Sequence, residues 1–443
     1  MKKKIALINP NNPFLTNERV FPNIGLVRVA TQLKAEGHDV HLYDFAGINP
    51  NNLEYHTELL RNKSFDYDLY GFSATTLQMP YVMNIFNLLK QGNPDARTLI
   101  GGPHPSALYN LKQKGIKDVN IDDLNCFDTI FAGEGEETSK IFGDGWQKAD
   151  LIKNIDDTLI PDRSFIDIET YKYLLFNHST TSIQTQRGCP HQCVFCCGRD
   201  VEMYNKVRTH SPKRVLKEMD ELHDKYGFES FMWYDDEVNL NISRLEELCL
   251  ELKKRPYQHR GFIRIDNIVK NPESVDWMKK AGFVKLCTGV ESGSDRILKL
   301  INKKTTSEMN SEARKLIRDA EIHYEAFLLL GHPSETMKDI NLTLNWVYKN
   351  KPDDFDLNII TPYPGSKIYD NAIPSKKFKN YKCEYKGLYF NKPKYATEDS
   401  FYKGKDMQSE SNIRTKTISN KDYRKIRDSA EEYLRRAIQP KIR

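Results

Sequence analysis

The chain has 443 residues, 39% hydrophobic and 11% aromatic, enough to bury a core in two or three domains; this excludes a small cross-linked scaffold and a disordered tail. Mean hydropathy is −0.64, and the longest apolar runs, such as that around 327–330, stop far short of the ~18 residues a membrane-spanning helix needs, so no membrane span is expected. A formal charge of +5 from 66 basic and 61 acidic side chains is weak evidence for a nucleic-acid partner, and none is expected. At the start, Lys2-Lys3-Lys4 precede only a short apolar stretch at 5–8, less than a secretory signal needs. Eight sparse cysteines make no disulfide framework, so a reducing, cytoplasmic setting is expected.

In chain order, 5–8 reads as a strand, 25–36 as a helix with Leu26, Val27, Ala30 and Leu33 on one face, and 40–43 as the next strand. Further strands are predicted at 69–73, 98–100 and 129–131, with helices at 81–89 and 106–112 between them. This alternation implies an α/β fold, a doubly wound, Rossmann-like domain over 1–145. Ligands of such a sheet lie beyond the carboxyl ends of its strands. Those ends carry Asn9-Pro10-Asn11-Asn12-Pro13, Ser73-Ala74-Thr75-Thr76-Leu77-Gln78, Gly101-Gly102-Pro103-His104-Pro105-Ser106 and Gly133-Glu134-Gly135-Glu136. Each loop alone is ordinary turn chemistry, but four on one edge favour a bound cofactor, since glycine lets backbone approach a ligand closely.

Residues 146–178, with Asp157 and Pro161-Asp162-Arg163, read as a linker. A second alternating series follows, with strands at 181–185, 230–234, 261–265, 284–290, 324–330 and 356–360. Six βα units predict a partial (β/α)6 TIM-type barrel over 179–370, with its chemistry where strands end. The remaining 371–443 form a basic segment, with 19 Lys/Arg against 9 Asp/Glu. It closes on an amphipathic helix carrying Tyr423, Ile426, Ala430, Tyr433 and Leu434.

The strongest motif is Arg187-Gly188-Cys189-Pro190-His191-Gln192-Cys193-Val194-Phe195-Cys196, a C-x3-C-x2-C spacing just after the first strand of the second series. Three thiolates this close can each hold one iron of a [4Fe-4S] cluster, and no fourth cysteine falls in the pattern, so one iron stays open to chelate a substrate and pass it an electron. A structural zinc loop is the alternative, but such sites pair two knuckles and no second one is present in the sequence. Cys197 falls outside the spacing and reads as a bystander.

This spacing, with an aromatic before the last cysteine, resembles the radical S-adenosylmethionine (SAM) enzymes. The resemblance implies that Cys189, Cys193 and Cys196 are the cluster ligands and that SAM binds the open iron. Phe195 would lie beside its adenine, and Asp235, Asp236 and Glu237 would accept from its ammonium, with a helix N-cap as the plainer role for the aspartates. Arg264 and the Gly289-Val290-Glu291-Ser292-Gly293 segment would hold its carboxylate and ribose, the plainer role of Arg264 and Glu291 being buried ion pairs. Gly331-His332-Pro333-Ser334-Glu335-Thr336 and Thr361-Pro362-Tyr363-Pro364-Gly365-Ser366 match later strand-end loops, so Gly331 and Thr361 are added to the SAM set. The first of these departs from the commoner form, which has a bulky apolar residue at His332 and glycine at Ser334. His332 and Tyr363 are the catalytic candidates, with a surface or capping histidine as the plainer reading of His332.

Up to about residue 370 the chain is similar to the cobalamin-binding radical SAM enzymes. This implies a cobalamin between the two domains, held by Asn9, Pro10 and Asn11, by Ser73, Thr75, Thr76, Leu77 and Gln78, by Gly101, Gly102, His104 and Ser106, and by Gly133, Glu134, Gly135 and Glu136. The Asp-x-His-x-x-Gly signature that supplies a histidine to cobalt elsewhere is absent, which leaves the loop from Thr75 to Met79 as the neighbour of that face. The resemblance further implies a methyltransferase, in which methylcobalamin gives a methyl group to an unactivated substrate carbon after hydrogen abstraction by the 5′-deoxyadenosyl radical. A non-methylating cyclisation, ring contraction or oxidation is the alternative. A small-molecule or peptide substrate and a flavodoxin or ferredoxin type electron donor complete the expectation. A methylthiotransferase is disfavoured, because Cys126 stands alone before Cys189.

Overall fold

The computed structural model describes residues 2–12, 17–48, 67–397 and 412–438; Pro13, part of the first strand-end loop, lies outside them. Its first sheet contains β1 (Lys4–Asn9), β2 (Asp39–Asp44), β3 (Leu69–Ser73), β4 (Thr98–Gly101), β5 (Thr129–Ala132) and β6 (Gly145–Lys148). All pairings are parallel, in the order β2-β1-β3-β4-β5-β6. Alternate residues of β1 serve opposite faces, as the two-residue period of a strand requires. Ile5 and Leu7 pack with Leu26, Leu33 and Phe131, whereas Ala6 and Ile8 pack with Phe72, Val82 and Leu108. The helices Ile24–Ala35, Met79–Gly92 and Pro103–Gln113 match the expected pattern. The first is started by the Asn23 side chain, which accepts from Leu26 N. Strand order reverses between β1 and β3, which opens a crevice at their carboxyl ends.

The sixth strand extends this sheet three residues into the stretch read as linker. Beyond it, three short 3-10 turns at Ile155–Asp157, Arg163–Phe165 and Ile168–Thr170 carry the chain to the second domain. There β7 (Leu174–Leu175) and β8 (His178–Ile183) are followed by the small antiparallel pair β9 (Gln186–Arg187) and β10 (Arg208–Thr209). Then come β11 (Ser230–Trp233), β12 (Gln258–Phe262), β13 (Phe283–Glu291), β14 (His323–Leu330) and β15 (Asp354–Ile359), and the sheet order is β15-β14-β13-β12-β11-β8-β7. Six strands are parallel and β7 is antiparallel to β8, so the barrel is partial, with β15 and β7 as free edges. The first barrel strand ends at Ile183 rather than 185, because Thr185 and Gln186 turn to bond the Asp235 carboxylate. Among the described residues, no helix is long and apolar enough to cross a membrane.

The basic segment is more ordered than its composition suggests. β16 (Ile373–Pro374), β17 (Cys383–Tyr385), β18 (Leu388–Phe390) and β19 (Ile413–Thr415) form an antiparallel sheet. The helix Asn420–Ile438 buries Tyr423, Ala430 and Leu434, and Ile426 packs partly against the same core. Tyr433 corrects the expectation: it is 63% exposed, because it sits about 80° round the helix from Tyr423, and Arg427 takes the buried position.

Candidate active site

A cavity of about 540 Å³ opens where β1, β3, β4 and β5 end against the mouth of the barrel. Asn9 and Pro10 line it, as do Ser73, Thr75, Gln78, Gly101 and Gly102 and all four residues of Gly133 to Glu136. The barrel side is Gln184, Arg187, Gly188, Tyr204, Tyr234 and Asp236. Five expected residues do not line this cavity; they brace its wall. Asn11 donates to the carbonyls of Phe45 (2.8 Å) and Ile48 (2.6 Å). His104 is fully buried, its Nδ1 lies 3.0 Å from Thr76 Oγ1, and burial lowers its pKa to about 3, so it is a neutral prop for the Thr76 loop. Leu77 packs partly buried against the core. Ser106 Oγ donates to Gly102 O (2.8 Å) and accepts from Gly133 N (3.0 Å), tying two glycine loops together. Gln78 similarly ties the Thr75 loop to Pro10 O at 3.0 Å.

The second cavity, about 270 Å³, is lined by Cys189, Cys193 and Cys196 together with Phe195, Asp236, Glu237, Arg264 and Glu291. Burial, reinforced by Glu237, raises the Cys189 thiol above its ordinary range, and burial pushes Cys196 up to about 12 against the pull of Arg199. Buried thiols held in the neutral form are a donor set that a cation between them relieves. Cys197 does not line the cavity. His191 and Glu237 close one side, with Nε2 and Oε1 3.3 Å apart, and both fall within 4.8 Å of the Cys189 sulfur.

Around this cavity the charges are organised in pairs that the sequence did not announce. Glu291 stands at φ 62°, an unfavourable backbone for a side chain other than glycine, and meets Lys303 Nζ at 2.8 Å. A Cβ on Gly289 would come within 2.1 Å of the Glu291 carboxylate, so that glycine makes room for the pair. Arg264 pairs with Asp266 at 2.7 Å and donates to Lys303 O at 2.5 Å. Arg199 reaches the Cys189 and Cys197 carbonyls and lies 3.7 Å from Asp236. Lys303 comes from a loop with no local motif, and only the fold brings it here, whereas Arg199 follows Cys196 by three residues in the cysteine loop itself.

Asp235, Ser292, Gly331 and Thr361 line neither cavity. Asp235 is buried and accepts from Thr185 N (2.6 Å), Thr185 Oγ1 (2.5 Å) and Gln186 N (2.9 Å), which pins the stem of the cysteine loop. Ser292 bonds Thr343 and Ser294 N at the start of the next helix. Gly331 donates to Glu335 Oε2 at 2.6 Å beneath Ile413, and Thr361 lies beside Tyr363. His332 is fully buried behind Phe195, with ring centroids 6.2 Å apart, and so does not face a chamber. Burial lowers its pKa to about 4, against the opposing pull of the Glu291 carboxylate and of the Glu291 and Leu329 backbone beside the ring. Ser334, at φ 54°, holds the left-handed backbone for which glycine is suited. Tyr363 packs on Tyr395 with centroids 6.1 Å apart.

The two cavities share one residue, Asp236, and across the domain boundary the Phe21 ring of the larger cavity's wall lies 4.9 Å from that of Tyr173 and 5.6 Å from that of Tyr234. Residues 15–141 match the family model of the B12 binding domain, and residues 183–347 match that of the Radical SAM superfamily. This chain is a cobalamin-binding radical SAM enzyme. Its cofactors are a [4Fe-4S] cluster, SAM and cobalamin.

The radical SAM chain is 28% identical over 414 residues to an uncharacterized methyltransferase of Pyrococcus horikoshii, covering 88% of this chain and 84% of the relative. It is 25% identical over 330 residues to the anaerobic magnesium-protoporphyrin IX monomethyl ester cyclase of Rubrivivax gelatinosus, covering 68% and 58%. Among solved structures it is similar to the cobalamin-dependent S-adenosylmethionine radical enzyme OxsB, with a TM-score of 0.63 at 18% identity. That match covers 84% of this chain and spans only 55% of the OxsB chain, and it supports the fold.

The residues present fit this cofactor set. The three thiols of the spacing motif line the smaller cavity, beside paired carboxylates and cations suited to a zwitterion; a fourth cysteine, Cys287, also lines it, but its thiol donates to Glu325 (3.2 Å) and accepts from Arg260 (3.4 Å). The larger cavity has glycine backbone and neutral side chains beside the charged Glu18, Arg28, Glu134 and Glu136 on the first-domain side, and among the described residues no histidine lines it. Of the Thr75 to Met79 loop, Thr75 and Gln78 face it.

Proposed function

We propose that this enzyme transfers a methyl group to an unactivated carbon of a small-molecule or peptide substrate. The observation that carries the reading is the junction of the two cavities at Asp236, which gives one chamber a cobalamin wall and a SAM wall. When bound, SAM at the cluster supplies the radical that takes a hydrogen atom from substrate, and cobalamin supplies the methyl group. The chain's own work is to hold and to shield. Glu291, Lys303 and Arg264 orient the polar groups of SAM, Phe195 packs beside its base, and Asp236 and Glu237 accept from its ammonium. Phe21, Tyr173 and Tyr234 keep water from the seam between the walls, so that a substrate held there meets both cofactors before solvent.

In this reading residues 1–145 form the cobalamin domain, 146–178 the linker, 179–370 the radical SAM barrel and 371–443 a segment that buttresses both. Electrons come from a flavodoxin or ferredoxin. The methyltransferase relative, aligned over most of both chains, supports methyl transfer. The cyclase relative favours a second reading, in which both cofactors serve a cyclisation, ring contraction or oxidation. Anaerobic turnover with both 5′-deoxyadenosine and S-adenosylhomocysteine measured separates the two. Methyl transfer requires both to form alongside a product heavier by one methylene; 5′-deoxyadenosine alone, with no methylated product, refutes it.

A further inference from the structure

We infer that Arg187 is a positioning residue that sets the cysteine loop against the cobalamin wall by gripping Glu134 and Glu136. The two carboxylates of the Gly133 to Glu136 loop are turned toward the barrel domain. Arg187 Nη1 meets Glu134 Oε1 at 2.7 Å and Nη2 meets Glu136 Oε1 at 2.5 Å. The second Glu134 oxygen is held by Arg208 at 2.5 Å, so the loop grips both strands of the β9–β10 pair. All four side chains are about nine-tenths buried, so the geometry is dry and directional.

Arg187 is joined to the first cluster cysteine by Gly188 alone. Gly188 stands at φ 86°, and a Cβ there would come within 2.2 Å of Lys206 O, so this link has no freedom to absorb a shift. Cys189 N is itself fixed on Tyr204 O at 3.0 Å. At the other end of the chain of contacts, Gly133 lines the larger cavity and is fixed through Ser106 to Gly102. A displacement of the cobalamin wall is therefore passed to the cluster loop through a bidentate fork, which lysine cannot reproduce.

The test uses the full chain, anaerobically reconstituted, as wild type, Arg187→Lys and Glu136→Gln. The dipolar EPR interaction between the reduced cluster and cob(II)alamin reports their separation without turnover. Wild type should give one narrow distance distribution. In chains that hold both cofactors, Arg187→Lys should broaden it, and 5′-deoxyadenosine formed per product should rise about tenfold, as misplacement of reacting groups demands. Glu136→Gln, which keeps Glu134, should fall between the two. A wild-type dipolar spectrum and product ratio in both variants overturns the inference. So does loss of both cofactors in step with a lowered melting temperature, which marks a purely structural pair. The inference rests on the shared two-cofactor chamber and not on methyl transfer: the dipolar readout stands whichever product forms.

Discussion

The two cavities solve binding in opposite ways. The larger one is walled on its own domain by glycines, Asn9, Pro10, Ser73 and Thr75; its Glu134 and Glu136 carboxylates are spent on Arg187 across the seam, and Glu18 accepts from Asn12 N and Gly47 N. The smaller one concentrates the thiols of Cys189, Cys193, Cys196 and Cys287 and the charges of Arg199, Asp236, Glu237, Arg264, Glu291 and Lys303. A large cofactor can be held by shape and backbone, whereas a small zwitterion on a metal corner needs placed charges. Damage to one side should therefore leave the other loaded.

The largest effect is expected on the charged side. Cys196→Ala should remove the cluster and lower SAM cleavage by on the order of 10³-fold or more, with corrinoid still bound, because the cavity's other cysteine, Cys287, is held by Arg260 and Glu325 and does not replace the lost thiolate. Cys197→Ala, one residue away, should leave iron content and cleavage near wild type. Iron analysis beside the corrinoid absorbance measures both. On the backbone side, Gly133→Ala should reduce corrinoid content severalfold and leave iron intact. Its Cβ would meet Ala149 Cβ at 2.8 Å on a backbone of φ 111°, a strain of about 1–3 kcal/mol. Equal loss of iron and corrinoid in Gly133→Ala would break the contrast.

The smallest effect concerns stability and lies outside both cavities. Glu335 is fully buried, and burial raises its carboxyl from an ordinary 4.5 to about 8. The folded protein then holds a proton that the unfolded chain has released, so stability falls as pH rises from about 4.5 to 8. Glu335→Gln keeps an acceptor for Gly331 N and should flatten this decline, gaining roughly 1–3 kcal/mol at pH 8 in denaturant titrations. Its iron and corrinoid contents should not change.

The sequence made the strands of both sheets legible where apolar runs were long. β3 falls at the expected residues, and β11, β13, β14 and β15 differ only at their ends, whereas β12 (Gln258–Phe262) lies three residues before the expected 261–265 and leaves Arg264 beyond it as the N-cap of the next helix. β6 was hidden because Gly-Trp-Gln-Lys at a half-exposed edge has no pattern to detect. β16 to β19 were hidden because strands of two or three residues in a lysine-rich background carry no periodicity. In the site, residues inside a spacing motif were legible and their partners were not. Cys189, Cys193 and Cys196 line one cavity, as expected, but nothing local brings Lys303 to Glu291 or Arg187 to Glu134. Carboxylates of the Gly-Glu-Gly-Glu loop looked like cofactor groups because a motif shows which residues matter and not which way they point. His332 looked functional for being unusual, and its place behind Phe195 is one of packing.

Tyr395 has a consequence for how the molecule is completed. Its backbone N–H donates to Asn120 Oδ1 of the first domain at 2.8 Å, and its hydroxyl donates to Pro362 O of the barrel at 2.9 Å. Asn120 in turn donates to Pro393 O at 3.1 Å, so the same short stretch is stitched twice. This suture is made of residues that leave the ribosome after both halves. This part of the join is therefore made late, and a nascent chain lacks it until residues 393–395 have been synthesised.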